Sequence, residues 1–341
     1  MDPKPWFRLK ENELLERRIS EFDLQIQGSG IQTLIERLYA ELDQRGLTFH
    51  PACFPADEWF CPVGIPAIGI PFYLIHSRLR RLEQKFMLEL EGGTKTDFMK
   101  LIRHEAGHAF SYAYQLQKKT RWRQLFGSPS KDYPDDPTTY RPKPYSRSYV
   151  VHLDNWYAQS HPDEDFAETF AVWLTPNLKW KRKFKNWRAI KKLEYVDQLM
   201  TKIAGKPPLV NPKFNPKQHN GLQIKLKTYF DRKKKIYAES YPDFYDADLK
   251  LLFTDHPDER SHVRANQFLK SSEPKIMRYV AYWTKEKKYT ISELMKDLVY
   301  RTKELNLYVR KDDLDTDSKT TAYITTLVMN HLFTGKFKRQ K

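Results

Sequence analysis

The sequence predicts an α+β protein: a small sheet in the N-terminal half, amphipathic helices around it, and a mainly helical C-terminal appendage. Three observations lead there. Apolar residues recur at three- and four-residue spacing in several separate stretches. Residues 48–74 abandon that spacing for short apolar pieces punctuated by proline. Beyond residue 222 only helical patterns return. With 341 residues the chain can build more than one core. The expected division is a first domain over 1–205, a linker over 206–221 and a second region over 222–341.

Helix is expected over much of 11–47. A charged opening meets a break at Gly28-Ser29-Gly30, after which Ile31, Leu34, Ile35, Leu38 and Leu42 repeat until Gly46. Residues 64–74 read as strand, and their prolines point to an edge or irregular position. A short helix over 77–84, a strand over 86–91 and a turn at Gly92-Gly93 follow. Thr94 with Asp97 three residues on is a helix-capping signature. Phe98, Leu101, Ile102, Ala109, Phe110 and Ala113 supply the apolar side of the helix it opens. The connection over 118–147 is polar and rich in proline (Pro129, Pro134, Pro137, Pro142, Pro144), and a loop this long inside a domain is more often a lid or wall than filler. A second helix is expected from Ser160, capped by Ser160 with Asp163, with Pro162 in its first turn and its end before Thr175-Pro176. In the C-terminal region, 275–284, 291–305 and 320–333 read as helices.

Composition narrows the class. Apolar content of 40% with 14% aromatic residues is globular. No run approaches eighteen apolar residues, so no membrane span is expected. The first residues show neither an apolar signal core nor a cleavage site, so no secretory signal is read. Two cysteines, Cys53 and Cys61, are too few for a disulfide framework and too far apart for a zinc knuckle. A cytoplasmic protein with reduced thiols is the expectation. The net charge of +16 is concentrated, because residues 176–240 carry 18 lysines and arginines against 4 acidic residues. Such a run fits contact with an anionic polymer or surface, or else a solvated helix face with a lysine-rich linker. The interleaved Trp180, Phe184, Trp187 and Tyr195 suit base stacking or a buried helix face equally.

The chemistry concentrates at His104-Glu105-Ala106-Gly107-His108, an H-E-x-x-H pattern. Two histidines four apart lie on one helix face and can point at a single ion, for which zinc is well suited. Glu105 beside them can reach a water without binding the metal. A catalytic zinc needs a third protein ligand. A third histidine six residues past the motif, after a glycine three past it, is ruled out, because those positions hold Tyr114 and Ser111. A glutamate from a later helix remains, and Glu164 and Glu168 lie one turn apart. One would bind zinc while the other accepts a hydrogen bond from the far nitrogen of a ligating histidine. Glu164 is assigned as ligand and Glu168 as partner of His104, with the reverse assignment left open.

H-E-A-G-H followed by E-D-F-A-E resembles the gluzincin pattern. Residues 14–208 are similar to the bacterial family of putative zinc-binding metallopeptidases. The stretches Ile70-Pro71-Phe72-Tyr73-Leu74, Glu91-Gly92-Gly93-Thr94, Arg103–His108 and Trp156–Glu168 carry the likeness. The resemblance implies a zincin-like metallopeptidase domain with the H-E-x-x-H helix at its active site. An N-terminal C-x-x-C zinc ribbon is lacking, so a single zinc is implied. In the anthrax lethal factor type of gluzincin a tyrosine seven residues before the glutamate ligand faces the zinc. That position here is Tyr157, which by this likeness would donate to a developing oxyanion.

The expected function is therefore a zinc-dependent peptidase or amidase acting on a peptide or protein substrate. His104, His108 and Glu164 would be the ligands, Glu105 the general base, and the substrate would lie along a sheet edge in 64–74. Two other classes stay open. One is a nucleic-acid-associated protein, or a protease recruited to nucleic acid, through the basic 176–240 run. The other is a zinc-bearing scaffold without turnover.

Overall fold

A computed structural model describes residues 5–131, 142–143, 145–154, 156–210, 215, 221–237 and 245–334. The described residues group into two compact units. The first takes in those up to 86, 90–131 and 142–231, and the second takes in 87–89 and those from 232 onward.

In the first unit, α1 (Glu11–Leu15) and α2 (Gln32–Asp43) precede two strands, β1 (Ala52–Ala56) and β2 (Ala67–Pro71). They are followed by α3 (Ser77–Met87, all but its last residue in this unit), α4 (Lys95–Ala113), α5 (Thr120–Phe126), α6 (Pro162–Leu174), α7 (Trp180–Lys183), α8 (Ile190–Ile203) and the first half of α9 (Leu226–Tyr237). The strands pair in parallel, Ala52 opposite Ala67 through Ala56 opposite Pro71. Their connection, 57–66, contains no helix. Instead Phe60 returns to β2, where its carbonyl accepts the Gly69 N–H at 2.8 Å. All five β2 residues are buried. The edge expected in 64–74 is therefore not open at Gly69, which has β1 on one side and Phe60 on the other. Pro66 and Pro71 flank or close the strand rather than interrupt its ladder, so they are compatible with an inner position.

The strand expected over 86–91 is absent. Helix α3 runs on through Phe86 and Met87, and Leu88 ends it in a left-handed conformation with φ 63°. The alternation Phe86 to Glu91 is too short to define a strand, and Phe86 is held by the Phe230 ring at 4.5 Å.

Helices α4 and α6 form the centre of the first unit. Phe98, Ile102, Ala106, Ala109, Phe110 and Ala113 of α4 are buried, as are Phe166, Ala167, Phe170 and Ala171 of α6. Each fully buried phenylalanine contributes roughly 1.5–3 kcal/mol. The Phe110 and Phe170 rings stack at 5.2 Å. Arg103 of α4 makes a buried two-pronged ion pair with Glu41 of α2, at 2.6 and 2.7 Å. Behind α6, Lys192 of α8 meets Asp165 at 2.5 Å and the Ser148 carbonyl at 2.9 Å.

Trp180 and Phe184 are buried, so in this basic stretch they serve the core and are not free to stack on bases. Parts of two segments read from the sequence, 132–141 with residue 144 in the 118–147 connection and most of 211–220 in the linker, lie outside the described residues, as does 238–240 of the basic run. Residues 222–231 group with the first unit. Ser20 and Ile19 N–H groups donate to the carbonyls of Leu222 and Ile224 at 2.8 and 3.0 Å, and Leu226 donates back to Arg17 at 2.9 Å.

The second unit contains α10 (Asp246–Leu252), β3 (Arg260–Arg264), α11 (Ala265–Thr284), α12 (Lys288–Glu304), β4 (Tyr308–Arg310) and α13 (Thr316–Thr334). Strands β3 and β4 pair antiparallel. Leu269, Ile276 and Val280 of α11 pack with Ile291, Leu294 and Leu298 of α12 and with Ile324 and Leu327 of α13. The mainly helical reading of this region holds, with a two-stranded sheet that it did not anticipate.

Candidate metal centre

Helix α4 begins where the capping signature places it. Thr94 Oγ1 accepts the Asp97 N–H at 3.1 Å and donates to the Asp97 carboxylate at 2.6 Å. The cap on α6 differs from the expected Ser160. His161 is the cap, its Nδ1 accepting the Asp163 N–H at 3.1 Å, while the Ser160 hydroxyl donates to the Tyr157 carbonyl. An imidazole nitrogen does the work of the usual hydroxyl or carboxylate oxygen, which capping preferences do not anticipate.

The two helices are in close contact at Gly107. A Cβ there would lie 2.7 Å from the Ala167 Cα and 3.1 Å from its carbonyl oxygen. The glycine of the motif is thus a packing requirement. It lets α6 come close enough for Glu164 and Glu168 to reach His104, three residues before the contact, and for Glu164 to reach His108, the residue after it.

Three donor atoms converge. His104 Nε2 and His108 Nε2 lie 2.9 and 3.2 Å from the same Glu164 oxygen and 3.2 Å from each other. All three residues are buried and could hold one metal ion. His104 Nδ1 is 2.9 Å from Glu168 Oε1, so its N–H donates there and Nε2 is left with its lone pair toward the centre. The other Glu168 oxygen accepts the backbone N–H groups of His152 and Leu153 at 3.1 and 2.8 Å. One carboxylate therefore orients His104 and anchors the chain that leads to Tyr157. Two imidazoles and a carboxylate aimed at one point, with one imidazole's tautomer set from behind, fit a divalent ion such as zinc.

The electrostatics point the same way. Burial alone would lower the histidines, yet hydrogen bonds and charge from Glu164, joined by Glu168 at His104, hold both above their ordinary range. Burial would raise Glu164, but the charge of His108 and the hydrogen bonds from both histidines hold it well below. The negative charge that draws protons onto this pair is the charge that would draw a metal cation. Glu105 makes no such pairing. Burial pushes its carboxyl up, only partly offset by His104 and His108. A raised carboxyl is better matched to taking and returning a proton near neutral pH.

Tyr157 opens a short 3-10 turn, and its ring centroid lies 5.7 Å from that of His104. The residue is 39% exposed. Its hydroxyl is nonetheless held well above the ordinary phenol range, by burial and by the charges of Glu164 and Glu105.

The structure thus gathers all six residues singled out from the sequence, His104, Glu105, His108, Tyr157, Glu164 and Glu168, in one place. Two others were not foreseen. His152 donates from Nε2 to the Lys100 carbonyl at 2.9 Å, bracing the chain beside Glu168. Tyr112 lies on the face of α4 that carries His104 and His108, and its position eight residues after His104 was the available signal.

A buried His–His–Glu set spanning two close-packed helices defines a candidate metal-binding centre. Residues 89–184 match the model of the family described as "Putative zinc-binding metallo-peptidase", a span that contains α4, α6 and all six of these residues. Comparison with curated proteins and with solved structures yields no match. Among the described residues no helix is long and apolar enough to cross a membrane.

Proposed function

We propose that this chain is a zinc-dependent peptidase or amidase with a zincin-like catalytic domain of the glutamate-ligand kind. The observation that carries the reading is the convergence of His104, His108 and Glu164, with Glu168 fixing His104 from behind. These three residues would hold one zinc ion, which would supply Lewis acidity and make an attacking water easier to deprotonate. Glu105 takes the proton of the attacking water as its oxygen bonds to the carbonyl carbon. It returns that proton to the amine as the C–N bond breaks. Tyr157 donates its hydroxyl hydrogen to the oxyanion that forms between these steps. The free thiols of Cys53 and Cys61 suit a reducing, cytoplasmic setting. The test is metal analysis beside hydrolysis. Wild-type protein should hold one zinc and Glu164→Ala should bind it weakly. Glu105→Gln should keep zinc while losing roughly 10²–10⁴-fold in rate. Full activity in Glu105→Gln would refute the base assignment, and a zinc-bearing wild type that cleaves nothing would favour a scaffold.

A second reading concerns partners. Lys179, Lys181, Arg182, Lys183, Lys185, Arg188 and Lys191 are all exposed, a dense cationic surface suited to an anionic polymer. With Trp180 and Phe184 buried, contact would be made through charge, so binding to duplex DNA should weaken steeply as salt rises. Salt-independent binding would remove this reading.

A further inference from the structure

Helix α11 in the second unit covers its outer side with aromatic rings. Trp283 is 74% exposed, Tyr282 63% and Tyr279 43%. Rings of this size are ordinarily well covered, and exposed ones that cluster mark a surface that binds something. Tyr279 and Trp283 are one helical turn apart, and the Tyr282 and Trp283 rings meet edge to face at 5.2 Å. Leu269, Ile276 and Val280 fill the core side of the helix, and none of the three rings belongs to that core. Cations alternate with the rings. The Arg278 guanidinium lies 5.2 Å from the centre of the Tyr279 ring, and the Lys285 ammonium lies 5.0 Å from that of Tyr282. Both are within the range at which a ring face attracts a cation. Lys275 is neutralised by Asp317 at 2.5 Å, but Arg278 and Lys285 have no carboxylate partner among the described residues. Lys285 also ends the helix in a left-handed conformation, φ 61°, where glycine is the usual choice. Every exposed residue of α11 is neutral or basic.

Such a face calls for a partner that is anionic and can lay flat rings against flat rings. Acidic side chains and lipid phosphates bring charge without rings. A nucleic-acid duplex brings charge, but its bases are already stacked on one another. A single strand offers a phosphate and an unpaired base at every step. We propose that Arg278, Tyr279, Tyr282, Trp283 and Lys285 form a docking surface for single-stranded nucleic acid, with bases stacked on the rings and phosphates held by Arg278 and Lys285. This surface does not depend on the metal centre. It also differs in kind from the exposed cations between 179 and 191, which offer charge while Trp180 and Phe184 are buried.

The experiment separates stacking from charge. Full-length protein is titrated with a fluorescent oligothymidylate of about twenty nucleotides, and with an abasic strand of equal length that keeps the phosphates and lacks the bases. Wild type should bind the oligothymidylate about tenfold or more tighter than the abasic strand. Trp283→Ala should weaken the oligothymidylate roughly 5- to 150-fold, the range for one lost base–ring stack, and leave the abasic strand nearly unchanged. Trp283→Phe should recover part of that loss. Arg278→Ala combined with Lys285→Ala should weaken both strands and make binding less steeply dependent on salt. A duplex of the same length reports on the cations between 179 and 191, and its binding should not respond to Trp283→Ala. The proposal is overturned if wild type binds both strands alike, if it binds no oligothymidylate, or if the preference survives Trp283→Ala combined with Tyr279→Ala. Should that double variant not fold, an undiminished preference in both Tyr279→Ala and Tyr282→Ala overturns it. Vesicles containing phosphatidylserine form the last arm. Loss of vesicle binding in Trp283→Ala, with oligothymidylate binding retained, would assign the face to a membrane surface and likewise overturn the proposal.

Discussion

Replacing Gly107 by alanine puts a methyl group where α4 and α6 touch. Built there, the Cβ stands 2.7 Å from the Ala167 Cα, 3.1 Å from its carbonyl oxygen and 3.2 Å from the Phe170 Cβ. Carbon atoms pack at roughly 3.5–4.0 Å, so the helices must part by about 1 Å. Two effects oppose each other. In a solvated helix alanine would gain about 1 kcal/mol over glycine. Forcing a methyl into a packed core costs about 1–3 kcal/mol. The nearest two neighbours here are backbone atoms of another helix, which cannot rotate away, so overpacking wins. The net loss, up to about 2 kcal/mol, lowers Tm by up to roughly 8 °C for a unit of this size. The effect at the metal centre is larger, because Glu164 and Glu168 ride on the displaced helix. A shift of about 1 Å can cost on the order of 10²-fold in rate, and zinc affinity should fall about tenfold or more. Thermal unfolding with and without zinc, and competition against a chromogenic chelator, read both quantities. An unchanged or raised Tm together with wild-type zinc affinity would refute the close-approach argument.

Three further outcomes are expected. Glu168→Ala removes the group that orients His104 and should weaken zinc binding about 10–100-fold although no ligand is lost, as chelator competition can check. Arg103→Ala leaves Glu41 buried with only the more exposed Arg37 beside it and should cost about 3 kcal/mol in urea unfolding, the low end for a broken buried pair. His152 makes stability pH-dependent. Burial lowers its pKa from an ordinary 6.5 to about 4, so between those values the unfolded chain binds a proton that the folded one refuses. Its contribution is complete above pH 6.5 and is lost as pH falls toward 4, by at most about 3 kcal/mol. His152→Gln should flatten the difference in unfolding free energy between pH 5 and pH 7, and an unaltered difference would count against this role.

The motif residues were legible because their chemistry is tied to helical spacing. His104 with His108 and Glu164 with Glu168 each lie one turn apart, and Thr94 marked where their first helix begins. What the sequence hid was mostly tertiary. Gly107 looks like a mild weakness in a helix until Ala167 is seen against it. Ser160 matched the capping pattern, but His161 has the extended backbone and the nitrogen at the right distance. The alternation at Phe86 to Glu91 imitated a strand, since six residues are too few to separate period two from a helix end. The edge expected in 64–74 failed at Gly69 because the chain from β1 folds back through Phe60, a contact with no local signal. For the basic run the reverse holds. Its charge was plain from composition, and burial decided between the two roles open to Trp180 and Phe184.

The central claim is that His104, His108 and Glu164 hold a zinc ion for hydrolysis with Glu105 as base. Digestion of a proteome-derived peptide library by zinc-loaded wild type and zinc-loaded Glu105→Gln tests it most directly. The account predicts new peptide termini with the wild type and essentially none with Glu105→Gln at equal zinc content. Equal cleavage by the two proteins, or none by either, would contradict it.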